Sequence, residues 1–450
     1  MPGFAIAAHQ PAVARAVIAL PFGPVQATLS LSPAVTPERS RVSKRTPWFA
    51  LLGLVLLAGC GGGDDSATTA AAATATAAPT RALALAAPAE PVIAPVVGRG
   101  EFKSATRLAS FTAPQVIQGL VAAGPLAPAV APRYAVSTWR LTYITLDGRG
   151  QPVLASGLAA VPDKPAGQAS PVVSYQHGTI FHDAEAPSNA LLATEPPIVM
   201  ASLGAIVVAP DYVGYGASRG SQHPYLLSAP SAAAVLDLLT AARIWRASAG
   251  LLGNGQLFLL GYSEGGYVTM AAHRAIQTDA SPHAATLIGS VPGGGPYDVQ
   301  VTLDTLLQRV RDQSPVLGAL ISPGLLGNLG SSLRNEVRRQ LLKQLIPDDA
   351  DVSFQSTFID NFLADDAGAI ERQSNVHNWK PLTPIRMFHG RDDQTVPYPS
   401  ASHTLAAMLA RGAPNVLLTD CAAKPAGHRE CVLPYWSFMV QQVGSVIRDL

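Results

Sequence analysis

At 450 residues, with 48% hydrophobic and 14% charged residues, the chain is long enough to bury a large sheet in one domain of about 350 residues. Its formal net charge of +1 gives no electrostatic case for nucleic acid, and no basic block interleaves with aromatic residues. Nucleic-acid partners are therefore not expected.

The first hundred residues do not read as core. Arg39, Arg41, Lys44 and Arg45 precede the apolar run Trp48 to Leu57, which ends in Ala58-Gly59-Cys60. A basic region, a short apolar stretch and small residues make a secretory signal, too short to be a spanning helix. Leu57-Ala58-Gly59-Cys60 also resembles the lipobox of bacterial lipoproteins, which implies cleavage before Cys60 and lipid on its sulfur; the alternative is a plain signal peptide with an incidental cysteine. Acyl chains anchor by burying about 0.8 kcal/mol per methylene, so the expected partner is a membrane held through the N-terminus. Gly61 after the cysteine replaces the aspartate that retains many lipoproteins at the inner membrane, which points to the outer one where the host has two. Residues 1 to 41 are Pro/Ala-rich and fit no part of a signal, so initiation nearer Val42 is expected.

From Gly61 to about 100 the composition is Gly, Ala, Thr and Pro without a sustained apolar period. Such a segment cannot offset its ordering entropy and reads as a tether, spanning on the order of 35 Å as a coil. The expected organisation is thus an extension with signal over 1–60, a tether over 61–100, and a catalytic domain over 101–450.

Within that domain, Arg140 to Thr145 and Val153 to Val161 flank Asp147-Gly148-Arg149-Gly150 and predict a β-hairpin. Val172 to Tyr175 and Ala205 to Ala209 are short buried strands, the second running into Pro210-Asp211-Tyr212. Ser231 is expected to cap a helix that buries Val235, Leu236, Leu238, Leu239, Ile244 and Trp245. Gln256 to Leu260 is the next strand, and Thr286 to Ser290, Pro384 to His389 and Asn415 to Leu418 continue the series. A leading hairpin followed by strands alternating with helices predicts an α/β fold with a mostly parallel, doubly wound sheet. Between Ser290 and Pro384 the alternation stops: Leu303, Leu306, Leu307 and Val310, then Leu333, Val337, Leu341 and Leu345, recur at helical spacing. This insertion, about 297–380, reads as a helical cap over the carboxyl edge of the sheet; ordinary helical decoration is the alternative.

The chemistry gathers around Gly261-Tyr262-Ser263-Glu264-Gly265-Gly266, set directly behind the strand at Leu260 and ahead of a helical stretch. Strand, G-x-S-x-G and helix form a nucleophile elbow, in which glycines two before and two after the serine allow so sharp a turn. The helix behind Ser263 aims free N–H groups and its positive dipole end at any oxyanion formed there. Acyl transfer by serine also needs a base and an acid to orient it. Asp393, in His389-Gly390-Arg391-Asp392-Asp393-Gln394-Thr395-Val396-Pro397 after a strand, is the expected acid; Asp392 should face solvent, and Asp420 is the weaker rival. His428 is the expected base, after one helix and the last strand, giving the order Ser, Asp, His. Cys421 and Cys431 bracket it, and in an oxidising compartment a disulfide is the default, against two buried thiols. His403 and His273 read as surface or packing histidines. Oxyanion donors are expected from the backbone N–H of Glu264 and from the loop His177-Gly178-Thr179, at Thr179, with His177 structural. Gly214 to Gly220 reads as a turn, since its last glycine falls one residue late for a dinucleotide loop. The chemistry requires no metal and no cofactor.

Tyr175 to Thr179, Ala209 to Gly216, Gly261 to Gly266, Gly293-Gly294-Gly295-Pro296-Tyr297-Asp298 and His389 to Pro397 together resemble the secretory lipase family and related bacterial α/β-hydrolases, over roughly residues 130 to 440. The resemblance implies hydrolysis of carboxylic esters on small-molecule or lipid substrates, often with a helical cap shaping an acyl pocket. Two other readings compete. A serine peptidase of the prolyl-oligopeptidase kind shares G-x-S-x-G-G, although no propeller-type repeat precedes this domain. A non-catalytic hydrolase-fold binder would have no need of all three triad residue types.

Overall fold

The computed structural model describes residues 96–124, 129–279, 281–322 and 324–450. The signal, Cys60 and nearly all of the expected tether lie outside these residues. Nine strands form one sheet in the order β1-β2-β3-β5-β4-β6-β7-β8-β9. These are β1 (Phe102–Phe111), β2 (Val136–Leu146), β3 (Pro152–Pro162), β4 (Ser170–Gln176), β5 (Ile206–Pro210), β6 (Gly253–Tyr262), β7 (Leu287–Gly293), β8 (Ile385–His389) and β9 (Val416–Asp420). The first three strands and the β3/β5 contact are antiparallel; from β5 through β4 to β9 every neighbour is parallel.

The parallel strands read as continuous apolar runs because helices cover both faces, and successive residues serve different cores. In β6, Leu257 and Leu259 enter one core while Phe258, Leu260 and Tyr262 enter the other. In β5, Ile206 and Val208 divide from Val207 in the same way. One face carries α3 (Ser228–Ser248) and α4 (Glu264–Thr278); the other carries α1 (Ala113–Ala123), α2 (Pro196–Leu203) and α11 (Val432–Gly444). The β2/β3 hairpin closes as the sequence predicts: Asp147 Oδ1 accepts from the amides of Arg149 and Gln151, both at 2.8 Å.

Two departures from the sequence reading have a clear physical cause. Helix α3 starts at Ser228, not after a cap at Ser231, whose amide already bonds to Leu227 O at 3.2 Å. Pro230 is tolerated inside this first turn because its missing N–H is one that the turn leaves unbonded in any case. Strand β1 carried no recognisable pattern because it is an edge strand, largely exposed and broken by two irregularities in its pairing with β2. At the second, Thr138 Oγ1 accepts from Ala109 N at 3.0 Å and donates to Ala109 O at 3.1 Å, doing a neighbouring strand's work.

Between β7 and β8 lies the helical insertion: α5 (Val299–Gln313), α6 (Pro315–Leu320), α7 (Ser331–Leu345), α8 (Thr357–Leu363) and α9 (Ala367–Gln373). It follows a strand's carboxyl end, so it emerges on the edge of the sheet where open α/β folds bind ligands. Its apolar stripes meet one another: Leu303, Leu306, Leu307, Val337, Leu341, Phe358 and Phe362 join the larger core. Helix α10 (Tyr398–Ala410) separates β8 from β9. Among the described residues no helix is long and apolar enough to cross a membrane.

Candidate active site

Strand β6 ends at Tyr262, helix α4 begins at Glu264, and Ser263 alone makes the corner with φ 60° and ψ −125°. A serine in that region stores roughly 1–3 kcal/mol of strain, so its surroundings must hold it there. They do so with backbone bonds: Ser263 N donates to Gly293 O at 2.9 Å, and Tyr267 N to Ser263 O at 3.1 Å. The flanking glycines are sterically required. A Cβ on Gly261 would lie 2.3 Å from Gly265 O, and one on Gly265 would lie 2.0 Å from Gln176 O.

The three side chains expected from the sequence meet at this corner. His428 Nε2 is 2.8 Å from Ser263 Oγ, and His428 Nδ1 is 2.6 Å from Asp393 Oδ2. The other carboxylate oxygen of Asp393 accepts from the amides of Thr395 and Val396, both at 2.8 Å, which fixes its plane. A second imidazole lies behind it: His389 Nε2 donates to Val396 O at 2.9 Å and sits 3.4 Å from Asp393 Oδ2. Burial alone would push the Asp393 carboxyl up, but hydrogen bonds from His389 and His428 and the attraction of their rings outweigh it and hold it at about 2. The carboxylate stays ionised and ready to stabilise an imidazolium.

The loop carrying His428 is braced from three sides. Cys421 and Cys431 are joined by a disulfide around it. Tyr262 OH donates to His428 O at 2.8 Å, with the two rings 5.2 Å apart. Asp392 is exposed, as expected, yet it is also tied down: its Oδ2 accepts from Ala426 N at 2.8 Å, and its own amide donates to Ala426 O at 3.1 Å. Asp392 thus pins the loop that carries His428, a role that solvent exposure alone did not suggest.

The rivals are occupied elsewhere. Asp420 accepts from Arg391 Nε and from Tyr398 OH, both at 2.7 Å. His273 is buried between Ser290 Oγ and Thr383 Oγ1, at 2.8 and 2.6 Å, and burial lowers its pKa to about 3. His403 is exposed, with Asp298 its nearest acid at 3.8 Å. The Gly214 to Gly220 segment forms a 3-10 turn at Gly216–Ser218.

Glu264 opens α4, so its amide belongs to the first turn, where N–H groups have no intrahelical acceptor. Across from it, a Cβ added to Gly178, the residue before Thr179, would sit 3.6 Å from Ser263 Cβ. The Thr179 hydroxyl lies 3.2 Å from Tyr225 OH. His177 is stacked on Tyr212, ring centroids 4.1 Å apart, and Tyr212 OH donates to His177 O at 3.1 Å, so it supports the loop rather than facing the serine. Sequence reasoning missed the side chain of Glu264, which is buried with its Oε1 2.7 Å from His223 Nε2. The available signal was a carboxylate in an otherwise small and apolar first helical turn.

The sequence profile of the secretory lipase family matches residues 195–310, from α2 through Ser263 into α5. No curated protein matches the chain. Among solved structures, the rice cell wall degrading esterase LipA from Xanthomonas oryzae is 24% identical, with a TM-score of 0.60, over 78% of this chain and 100% of its own. Candida antarctica lipase A is 15% identical, with a TM-score of 0.50, over 79% of this chain and 84% of its own. At these identities the structural likeness establishes the α/β-hydrolase fold.

Proposed function

We propose that Ser263, His428 and Asp393 are the nucleophile, base and acid of this carboxylic ester hydrolase, and that it works through an acyl-enzyme. The observation that carries the reading is the unbroken hydrogen-bond chain from Ser263 Oγ through both ring nitrogens of His428 to Asp393 Oδ2. His428 takes the hydroxyl proton as Ser263 Oγ attacks the ester carbonyl, and Asp393 stabilises the imidazolium that results. The oxyanion of the tetrahedral intermediate is met by the amides of Glu264 and Thr179. His428 then protonates the departing alkoxide, and a water activated by the same ring hydrolyses the acyl group.

The substrate class is a small-molecule or lipid ester. The matched family of secretory lipases and the esterase and lipase folds support it, and the cap of α5 to α9 is the element that would select the acyl group. Ser263→Ala tests the assignment on short p-nitrophenyl esters: kcat should fall by roughly 10⁴-fold or more, and a fluorophosphonate should label the native protein but not the variant. Retained hydrolysis by the variant would overturn it.

The protein is exported, as the secretory family suggests. The finer reading is a lipoprotein cut before Cys60, diacylated there, and held on the outer membrane by a tether over 61–100, with the catalytic domain beyond it. The run Leu57-Ala58-Gly59-Cys60 behind a basic apolar signal supports this. Cells fed radiolabelled fatty acid should transfer label to the native protein and not to Cys60→Ser; a protein unlabelled in both refutes the anchor.

A further inference from the structure

The Glu264 carboxyl takes no part in the chemistry above, yet it is 2% exposed and one of its oxygens has no hydrogen-bond partner. A buried acid so placed needs a reason. Its other oxygen, Oε1, faces His223 Nε2 at 2.7 Å, and His223 Nδ1 faces Val213 O at 3.0 Å. A backbone carbonyl can only accept, so Nδ1 carries a proton. One further proton must then lie between Nε2 and Oε1, since two bare acceptors at that distance would repel. Wherever that proton rests, the pair has no net charge, and a developing oxyanion beside it meets no net negative charge.

His223 is also joined to the cap through its main chain. Its amide donates to Ser353 O at 2.7 Å, and its carbonyl accepts from Gln355 N at 2.8 Å. The ring of the residue between them, Phe354, stands edge-on to the His223 ring with centroids 5.4 Å apart. A continuous set of directed bonds therefore runs from cap residues 353–355, through His223, to the residue whose amide follows the nucleophile.

We propose that the Glu264 side chain is a positioning residue: paired with His223, it fixes the Glu264 amide as an oxyanion donor and makes that donor's alignment depend on the cap segment 353–355 being seated. This rests on the acyl-enzyme reading. Oxyanion donors act through geometry set before the reaction, so a small displacement of the amide weakens transition-state binding while leaving the ground-state ester bound as before.

The test uses purified protein, p-nitrophenyl butyrate, an alkylboronic acid that forms a tetrahedral adduct with the serine, and fluorophosphonate titration run to completion to count competent sites. Glu264→Gln keeps the contact, because its amide N–H can donate to neutral His223, and kcat per site should stay within about threefold of native. Glu264→Ala should lower kcat per site by about 10- to 100-fold with KM within about twofold, and weaken the boronic acid in parallel. Phe354→Ala should lower kcat in the native background and add little on top of Glu264→Ala. Where the alanine variant yields no titratable protein, Glu264→Met, which fills the same space, is read by the same numbers. The proposal is overturned by a kcat per site within about threefold of native in the alanine or methionine variant, by a glutamine variant as impaired as the alanine one, by a loss confined to KM, or by additive effects of Phe354→Ala. Failure of the acyl-enzyme reading looks different: the native protein would then remain unlabelled by fluorophosphonate, or Ser263→Ala would hydrolyse the ester.

Discussion

Replacing Asp393 by asparagine changes one atom and should reverse the direction of proton transfer at the site. Asp393 Oδ1 holds two amides, Thr395 N and Val396 N, at 2.8 Å, so an asparagine must keep its oxygen there. Its NH₂ then occupies the place of Oδ2, 2.6 Å from His428 Nδ1. Two donors cannot share that contact, so Nδ1 gives up its hydrogen and the ring carries it on Nε2. Nε2 now presents a proton to Ser263 Oγ, 2.8 Å away, where it had presented a lone pair. A base in the wrong tautomer costs about 10⁴-fold in kcat, or about 5.4 kcal/mol of barrier.

The same substitution has a signature in stability. The Asp393 carboxyl falls from an ordinary 3.8 to about 2 in the folded protein. A folded value below the unfolded one stabilises above pH 4 and is lost as pH falls through about 2, amounting to about 2 kcal/mol at neutral pH. Urea unfolding at pH 7 should therefore show Asp393→Asn weaker by about that amount, with the gap closing between about pH 4 and pH 2. Ester hydrolysis is then measured at urea-free pH 7, where both proteins are folded, with Asp420→Asn as a control expected within about twofold of native. An Asp393→Asn enzyme that keeps more than about a tenth of native kcat would refute the tautomer argument.

Two further outcomes follow from the geometry around the triad. Cys421→Ser with Cys431→Ser should cost about 2–3 kcal/mol in urea unfolding, because a short loop loses its constraint in the unfolded chain, and kcat should fall as the His428 loop gains freedom; unchanged unfolding would show that the bond braces nothing. Gly265→Ala would set a methyl 2.0 Å from Gln176 O, backbone that cannot move without breaking the β4/β6 pairing, so soluble protein with native activity is the result that would contradict the elbow.

Much of the site was legible because its chemistry is written locally. The elbow needs glycines at fixed offsets from Ser263, and the acid turn needs Asp393 within reach of the amides of residues 395 and 396, so both are short-range patterns. The alternation of apolar strands and amphipathic helices gave the sheet for the same reason. What was not legible depended on partners distant in the chain. Strand β1 exists because β2 offers it a ladder, not because its own residues alternate. Helix α3 begins where the His223 to Leu227 turn delivers the chain, which moved its start from Ser231 to Ser228.

Local spacing along the chain was thus enough to single out Ser263, Asp393 and His428, which the fold joins in one hydrogen-bonded chain, since each choice rests on steric and hydrogen-bond demands spanning a few residues. Only the tertiary structure decided which side chains close the gaps between those segments. His389 behind Asp393, Asp392 clipping the His428 loop, Tyr262 on the His428 carbonyl, and His223 joining Glu264 to the cap are contacts between residues far apart in sequence. Such contacts leave no period to read, because their energy comes from burial and directed bonds that exist only once the sheet and cap have brought the partners together.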